Sequence, residues 1–199
     1  CDFVMKTQNL KFGEAVKSLA NLAGMLPYTF SKADEERQKS WQEYCSIYTR
    51  YVEFYHNQIL KNSEASIARE YLKKRNLSKN EVKNFKIGYV EKNPNIYKEF
   101  IKSFSEKNLV ESGLFFLDKK KNIYVERFKN RIIFPINNIS GQPIGLGGRT
   151  FEENKYVAKY INSPETPFFK KGANLYNLDL ARKLSNKIDH IYLVEGYMD

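Results

Sequence analysis

The sequence predicts an α+β protein. A helical part over 34–111 is followed by a mixed or antiparallel β-rich subdomain over 114–171, and the chain closes on a strand of the type found in α/β sheets. Three observations carry this. Apolar residues recur at three- and four-residue steps up to Glu111. From Leu114 the period changes to short β-type runs separated by turn residues. The last run, Ile191–Val194, is continuously apolar, as in strands covered on both faces.

The elements follow in order. Val16, Leu19, Ala20 and Ala23 share one face of a helix over 13–23, Gly24 suits the residue after its cap, and Pro27 ends the pattern. Ser31 with Asp34 caps a long helix over 34–60. Its stripe is Trp41, Tyr44, Cys45, Tyr48, Tyr51, Val52, Tyr55 and Ile59. That stripe reads first as a packing surface, with base stacking the alternative. Further helices are predicted over Ser63–Arg75, after the Ser78/Glu81 capping box, and over Ile96–Phe104 and Ser105–Glu111. Strands are predicted at Ile87–Val90, Leu114–Leu117, Ile123–Val125, Arg131–Ile136, Pro143–Leu146 and Tyr156–Ile161. The intervening turns are 118–122, 137–141 and 152–154. A helix over Leu175–Leu184 precedes the final strand, His190–Val194.

Composition narrows the function. With 42% hydrophobic and 15% aromatic residues in 199, the chain can build a core, which excludes bulk disorder. No apolar run approaches the roughly 20 residues of a membrane-spanning helix. Two cysteines cannot form a disulfide framework, so a reducing compartment is expected. With only His56 and His190 besides, a self-contained His/Cys zinc site is excluded. The chain is expected to be a piece of a longer protein, since it starts at Cys1 and stops just after an apolar strand.

The formal net charge is +10. Residues 119–171 hold eleven basic against four acidic side chains, a net of +7. A phosphate-bearing partner accounts for that excess. The competing explanation is general lysine usage, since 25 of the 33 basic residues are Lys.

Four stretches could carry chemistry. In Arg127–Ile136, Arg127, Lys129 and Arg131 would alternate along one face of an extended chain, facing phosphates or simply solvent. Gly141–Arg149 is glycine-rich but lacks both a P-loop ending and the helix of a dinucleotide fingerprint, so close strand packing is the plain reading. Lys159–Gly172 interleaves Tyr160, Phe168 and Phe169 with Lys159, Lys170 and Lys171, either as a platform for single-stranded nucleic acid or as a loop whose aromatics plug the core. Glu195 follows the last strand, at the strand end where open α/β sheets bind ligands, and suits Mg²⁺ beside phosphates.

In this order, the four stretches resemble the bacterial replicative DNA primases of the DnaG type. The strongest parts are Arg127–Ile136, Ile144–Arg149, the Asn162–Pro167 loop within Tyr160–Tyr176, and Leu193–Asp199, which matches the start of a Toprim domain. Phe3-Val4-Met5 and Gly13–Ala23 resemble the end of that family's zinc-binding domain. The resemblance implies a DNA-directed RNA polymerase that makes short RNA primers on a single-stranded DNA template from ribonucleoside triphosphates. Residues 1–26 would be the tail of the zinc-binding domain, 27–187 the N-terminal part of the catalytic core, and 188–199 the start of the Toprim domain.

Carried over by position, Glu195 is the catalytic residue, and Glu195 with Asp199 are metal ligands for Mg²⁺ or Mn²⁺. Arg131, Arg149, Lys159, Tyr160, Asn162 and Lys171 would line the template and nucleotide track. The family's Zn²⁺ ligands lie upstream of Phe3, and Cys1 falls at an apolar position of the family and is not one of them. A monomer without membrane association is implied, contacting a replicative helicase through a domain absent from this sequence. The 199 residues alone are expected to make no primers. Three rivals stand beside this: a non-catalytic single-strand-binding module, another Toprim enzyme such as a topoisomerase or phage primase–helicase, and a basic scaffold protein.

Overall fold

The computed structural model describes residues 1–25, 31–152, 155–184, 187 and 189–198. Pro27, Glu153, Asn154 and Asp199 lie outside them. The chain divides into two compact units, Cys1–Lys39 and Ser40–Asp199. The first holds α1 (Asp2–Gln8) and α2 (Phe12–Leu22). The Lys11 amide donates to the Glu14 carboxylate at the start of α2, and Gly24 beyond the helix takes a left-handed φ of 67°, as its position suggests.

The long helix α3 (Lys32–Lys61) leads into the second unit. It begins where Ser31 and Asp34 exchange hydrogen bonds. A 3₁₀ turn (Ser63–Ala65) occupies the start of the helix predicted from Ser63, leaving α4 as Ser66–Lys74. The Ser78/Glu81 capping box opens α5 (Lys79–Asn84). Then come β1 (Gly88–Val90), α6 (Tyr97–Phe100), α7 (Glu106–Glu111), β2 (Phe115–Asp118), β3 (Ile123–Glu126), β4 (Arg131–Asn137), β5 (Pro143–Arg149), β6 (Tyr160–Asn162) and α8 (Leu178–Leu184). Strands β1-β4-β5-β6 form an antiparallel sheet in that order, and β2-β3 a separate hairpin. The helical part followed by an antiparallel sheet is the predicted α+β arrangement. No helix among the described residues is long and apolar enough to cross a membrane.

Strand β4 is buried on both faces. Ile133 joins a core with the tyrosines of α3, while Ile132 and Phe134 join a second core with Ile59, Leu72, Val82 and Ile87. Pro135 sits inside this central strand, where a proline normally breaks the ladder. It is tolerated because β1 pairs only with Arg131–Ile133, so Pro135 has a strand neighbour on the β5 side alone.

The stripe on α3 is a packing surface, and its hydroxyls reach across the core. Tyr44 donates to the Ile144 carbonyl at 2.7 Å, and Tyr48 to the Ser112 carbonyl at 2.9 Å. Tyr51 and Tyr55 donate to one oxygen of Glu126 at 3.1 and 2.5 Å, and the Ile96 amide donates to the other at 3.0 Å. Glu126 is only 2% exposed, and burial pushes its carboxyl up to about 7. The fold thus holds this proton more tightly than the unfolded chain does. The resulting stability is complete below the ordinary carboxylate range and is lost as pH rises to about 7. Unfolding free energies from urea melts between pH 4.5 and 8 should decline by roughly 3 kcal/mol, a decline that Glu126→Gln flattens. An equal decline in both proteins would sink this account.

Three predicted elements are corrected. His190–Val194 is not a buried strand: it pairs with no described strand, and Tyr192 and Leu193 are more than 80% exposed. An apolar run becomes a strand only where a neighbouring strand supplies its hydrogen bonds. Arg127–Asn130 is a turn rather than extended chain, with Asn130 at φ 55°, so the alternating basic face does not exist. Of the run Tyr156–Ile161, only Tyr160 and Ile161 are strand, and Tyr156 is exposed.

Candidate nucleic-acid interface

The segment Pro143-Ile144-Gly145-Leu146-Gly147-Gly148-Arg149 is a strand throughout, and its glycines serve packing. A Cβ at Gly145 would come within 2.7 Å of the Phe169 ring, at Gly148 within 2.5 Å of Phe128, and at Gly147 within 2.4 Å of Tyr197. With no side chain in the way, β5 delivers Arg149 at its end. The guanidinium of Arg149 lies 4.8 Å from the Tyr160 ring and 5.3 Å from the Tyr71 ring, and it donates to the Tyr160 hydroxyl. Both contacts restrain a long cation, which lowers the entropy lost when it meets an anion.

Next to it, β6 presents Tyr160 and Asn162, with Lys159 just before. Arg131 holds this entrance. Its guanidinium donates to the carbonyls of Ala158 at 2.8 Å and Lys159 at 3.3 Å. Arg131 is buried, which pulls its pKa down. With its guanidinium committed to these two carbonyls, it holds the backbone at Lys159.

The loop after β6 is tied to α3. The Tyr48 and Tyr44 hydroxyls lie 3.1 Å from Ser163 Oγ and 3.0 Å from Thr166 Oγ1. The Thr166 hydroxyl also accepts from the Phe168 and Phe169 amides. Phe169 is buried and Phe168 packs on Trp41 and Tyr44, so these two aromatics plug the core and Tyr160 alone stays open to stacking. The loop's fixed end delivers Lys171.

A groove of about 1140 Å³ collects the result. Arg149, Lys159, Tyr160, Asn162, Lys171 and Glu195 all line it. Of the predicted track, only Arg131 does not line the groove. Arg75 and Asn76 line it too, as do Tyr176 and Tyr197, none of which the sequence reading identified. A local signal did exist for the first pair: Asn76 has φ 61°, the left-handed ending that asparagine tolerates after a helix, and it sets Arg75 at the end of α4. Tyr197 depends on contacts with distant strands and left no such signal.

The groove suits an anionic chain with flat rings. Arg75, Arg149, Lys159 and Lys171 face it against Glu81 and Glu195. A metal centre is another matter. Glu195 is a single exposed carboxylate, Asp199 lies outside the described residues, and no group of three His, Cys, Asp or Glu among the described residues could hold an ion. These residues do not fit a Mg²⁺ or Zn²⁺ site by themselves.

Comparison with known proteins identifies the family. Residues 54–182 match the family model for the N-terminal domain of the DNA primase catalytic core. A DNA primase of Clostridium acetobutylicum is 39% identical over 202 residues, covering 99% of this chain and 32% of that protein. The chain thus spans about a third of the length of such curated relatives. A DnaG primase catalytic domain solved bound to ssDNA is 31% identical, with TM-score 0.71 over 80% of this chain and 49% of that one. The zinc-binding and RNA polymerase domains of the Aquifex aeolicus primase are 28% identical, with TM-score 0.64 over 94% of this chain and 44% of that one.

Proposed function

Because the chain belongs to the DnaG-type DNA primase family, with residues 54–182 matching the N-terminal domain of the catalytic core, we propose that it is part of an enzyme that makes short RNA primers on single-stranded DNA from ribonucleoside triphosphates. The observation that carries this is the convergence of Arg149, Lys159, Tyr160, Asn162 and Lys171 on one groove beside Glu195. The basic residues would hold template and triphosphate through phosphates, which position a nucleic acid without reading its sequence. Tyr160 would stack a base, and Arg131 would keep Lys159 in register.

Glu195 and Asp199 would be the share of a Mg²⁺ or Mn²⁺ site that this chain supplies, with the remaining acids elsewhere in the full-length protein. In this reading, residues 1–26 end a zinc-binding domain whose Zn²⁺ ligands are not in this sequence, 27–187 form the core segment, and 188–199 open a Toprim domain. The similarity to the Aquifex aeolicus pair of domains supports the first of these. The full protein would work in the cytoplasm as a monomer at the replication fork, beside a replicative helicase. The 199 residues alone would make no primers, and template-dependent synthesis by them would overturn that statement.

The test is salt-dependent binding of a labelled oligo(dT) to the 199-residue chain. Lys159→Ala or Lys171→Ala should weaken binding and reduce the slope of log K against log salt by about 0.7 for each lost single-strand phosphate contact. An unchanged slope removes that lysine from the track.

A further inference from the structure

Tyr197 holds an unusual set of contacts for a residue just beyond Glu195. Its ring lies flat on Phe134, with centroids 5.4 Å apart and planes 9° apart. Tyr176 meets it edge-on at 5.0 Å. The ring also covers Gly147, where even one methyl group would collide with it. Gly147 and Asn162 are directly paired across β5 and β6. From above Gly147, the Tyr197 hydroxyl reaches this cross-strand neighbour and donates to Oδ1 of Asn162 at 2.7 Å.

In this arrangement the Tyr197 hydroxyl takes the oxygen end of the amide. With Oδ1 occupied, Asn162 offers Nδ2, a donor, to the groove both residues line. We propose that Tyr197 is a positioning residue: it locks the Asn162 amide with its donor toward the groove, so that Asn162 recognises a hydrogen-bond acceptor on the bound strand, a phosphate or base oxygen. The inference rests on the groove being the nucleic-acid track and adds how one polar contact in it is oriented. The missing side chain at Gly147 is what makes room for the lock. The same ring ties the segment carrying Glu195 to the sheet, so the acid and the amide keep a fixed relation.

The test is a double-mutant cycle on the 199-residue chain, reading oligo(dT) affinity by fluorescence anisotropy and stability by thermal melting. Tyr197→Phe keeps the ring and its stacking but loses the donor. Tyr197→Phe and Asn162→Ala should each weaken binding about fivefold, the worth of one hydrogen bond, with little change in melting temperature. The two together should weaken it no further than either alone. Additive losses, or full affinity in Tyr197→Phe, would overturn the inference. So would full affinity in Asn162→Ala. If in that case Lys159→Ala and Lys171→Ala still weaken binding, the groove stands as the track and only the orienting role of Tyr197 falls. If those two also bind normally, the track itself is wrong.

Discussion

Gly148→Val should destabilise the fold by about 3 kcal/mol or more, at the upper end of what overpacking costs. The position is closed on both sides. A Cβ there would come within 2.5 Å of Phe128 and 3.3 Å of the Arg131 side chain. Phe128 is fully buried and cannot swing aside into solvent. Arg131 is fastened to two carbonyls, so pushing it would also disturb Lys159. A loss of this size is a large fraction of a typical domain's stability, and the variant should show a markedly lower urea midpoint. A change within about 0.5 kcal/mol, as for an ordinary surface substitution, would mean that Phe128 has room to move and that the strand is not packed as described.

The second large effect concerns Glu195 in the full-length protein. Glu195→Gln keeps the size of the side chain and removes its charge. Primer synthesis should fall at least about a hundredfold, as for loss of a group acting in the chemical step. Affinity for single-stranded DNA should change less than about twofold, because the basic residues lining the groove remain. Primer yield on a single-stranded template, measured beside oligonucleotide affinity, separates the two. Surviving synthesis with a large loss of affinity would move Glu195 from the chemistry to binding.

Much of the fold is legible in local patterns. The stripe on α3 is visible because helical spacing repeats every few residues, and the Ser78/Glu81 box because its partners are three apart. Contacts that join distant segments are not visible in this way. Glu126 looks like one more surface acid in a basic stretch. It is buried because Tyr51 and Tyr55, 75 and 71 residues earlier, close over it. The bend at Asn130 hides behind alternating basic residues that suit a strand equally well. Leu193 and its neighbours show the opposite failure. Their apolar character reads as a strand, but only a neighbouring strand can complete one. For the groove, the residue types of one bank are plain in Lys159–Lys171, whereas Tyr197 meets it only through tertiary structure.

The tyrosine hydroxyls of α3 also set a clock for folding during synthesis. Tyr44 bonds to residues 100 and 122 positions later, and Tyr48 to one 115 later. At typical elongation rates of about 5–20 residues per second, a ribosome needs roughly 5–25 s to deliver those partners. Throughout that interval the Tyr44 end of the stripe lacks the strand and loop that cover it in the finished fold. The nascent chain therefore passes through a window in which chaperones, or other nascent chains, can reach a surface that the finished protein never shows.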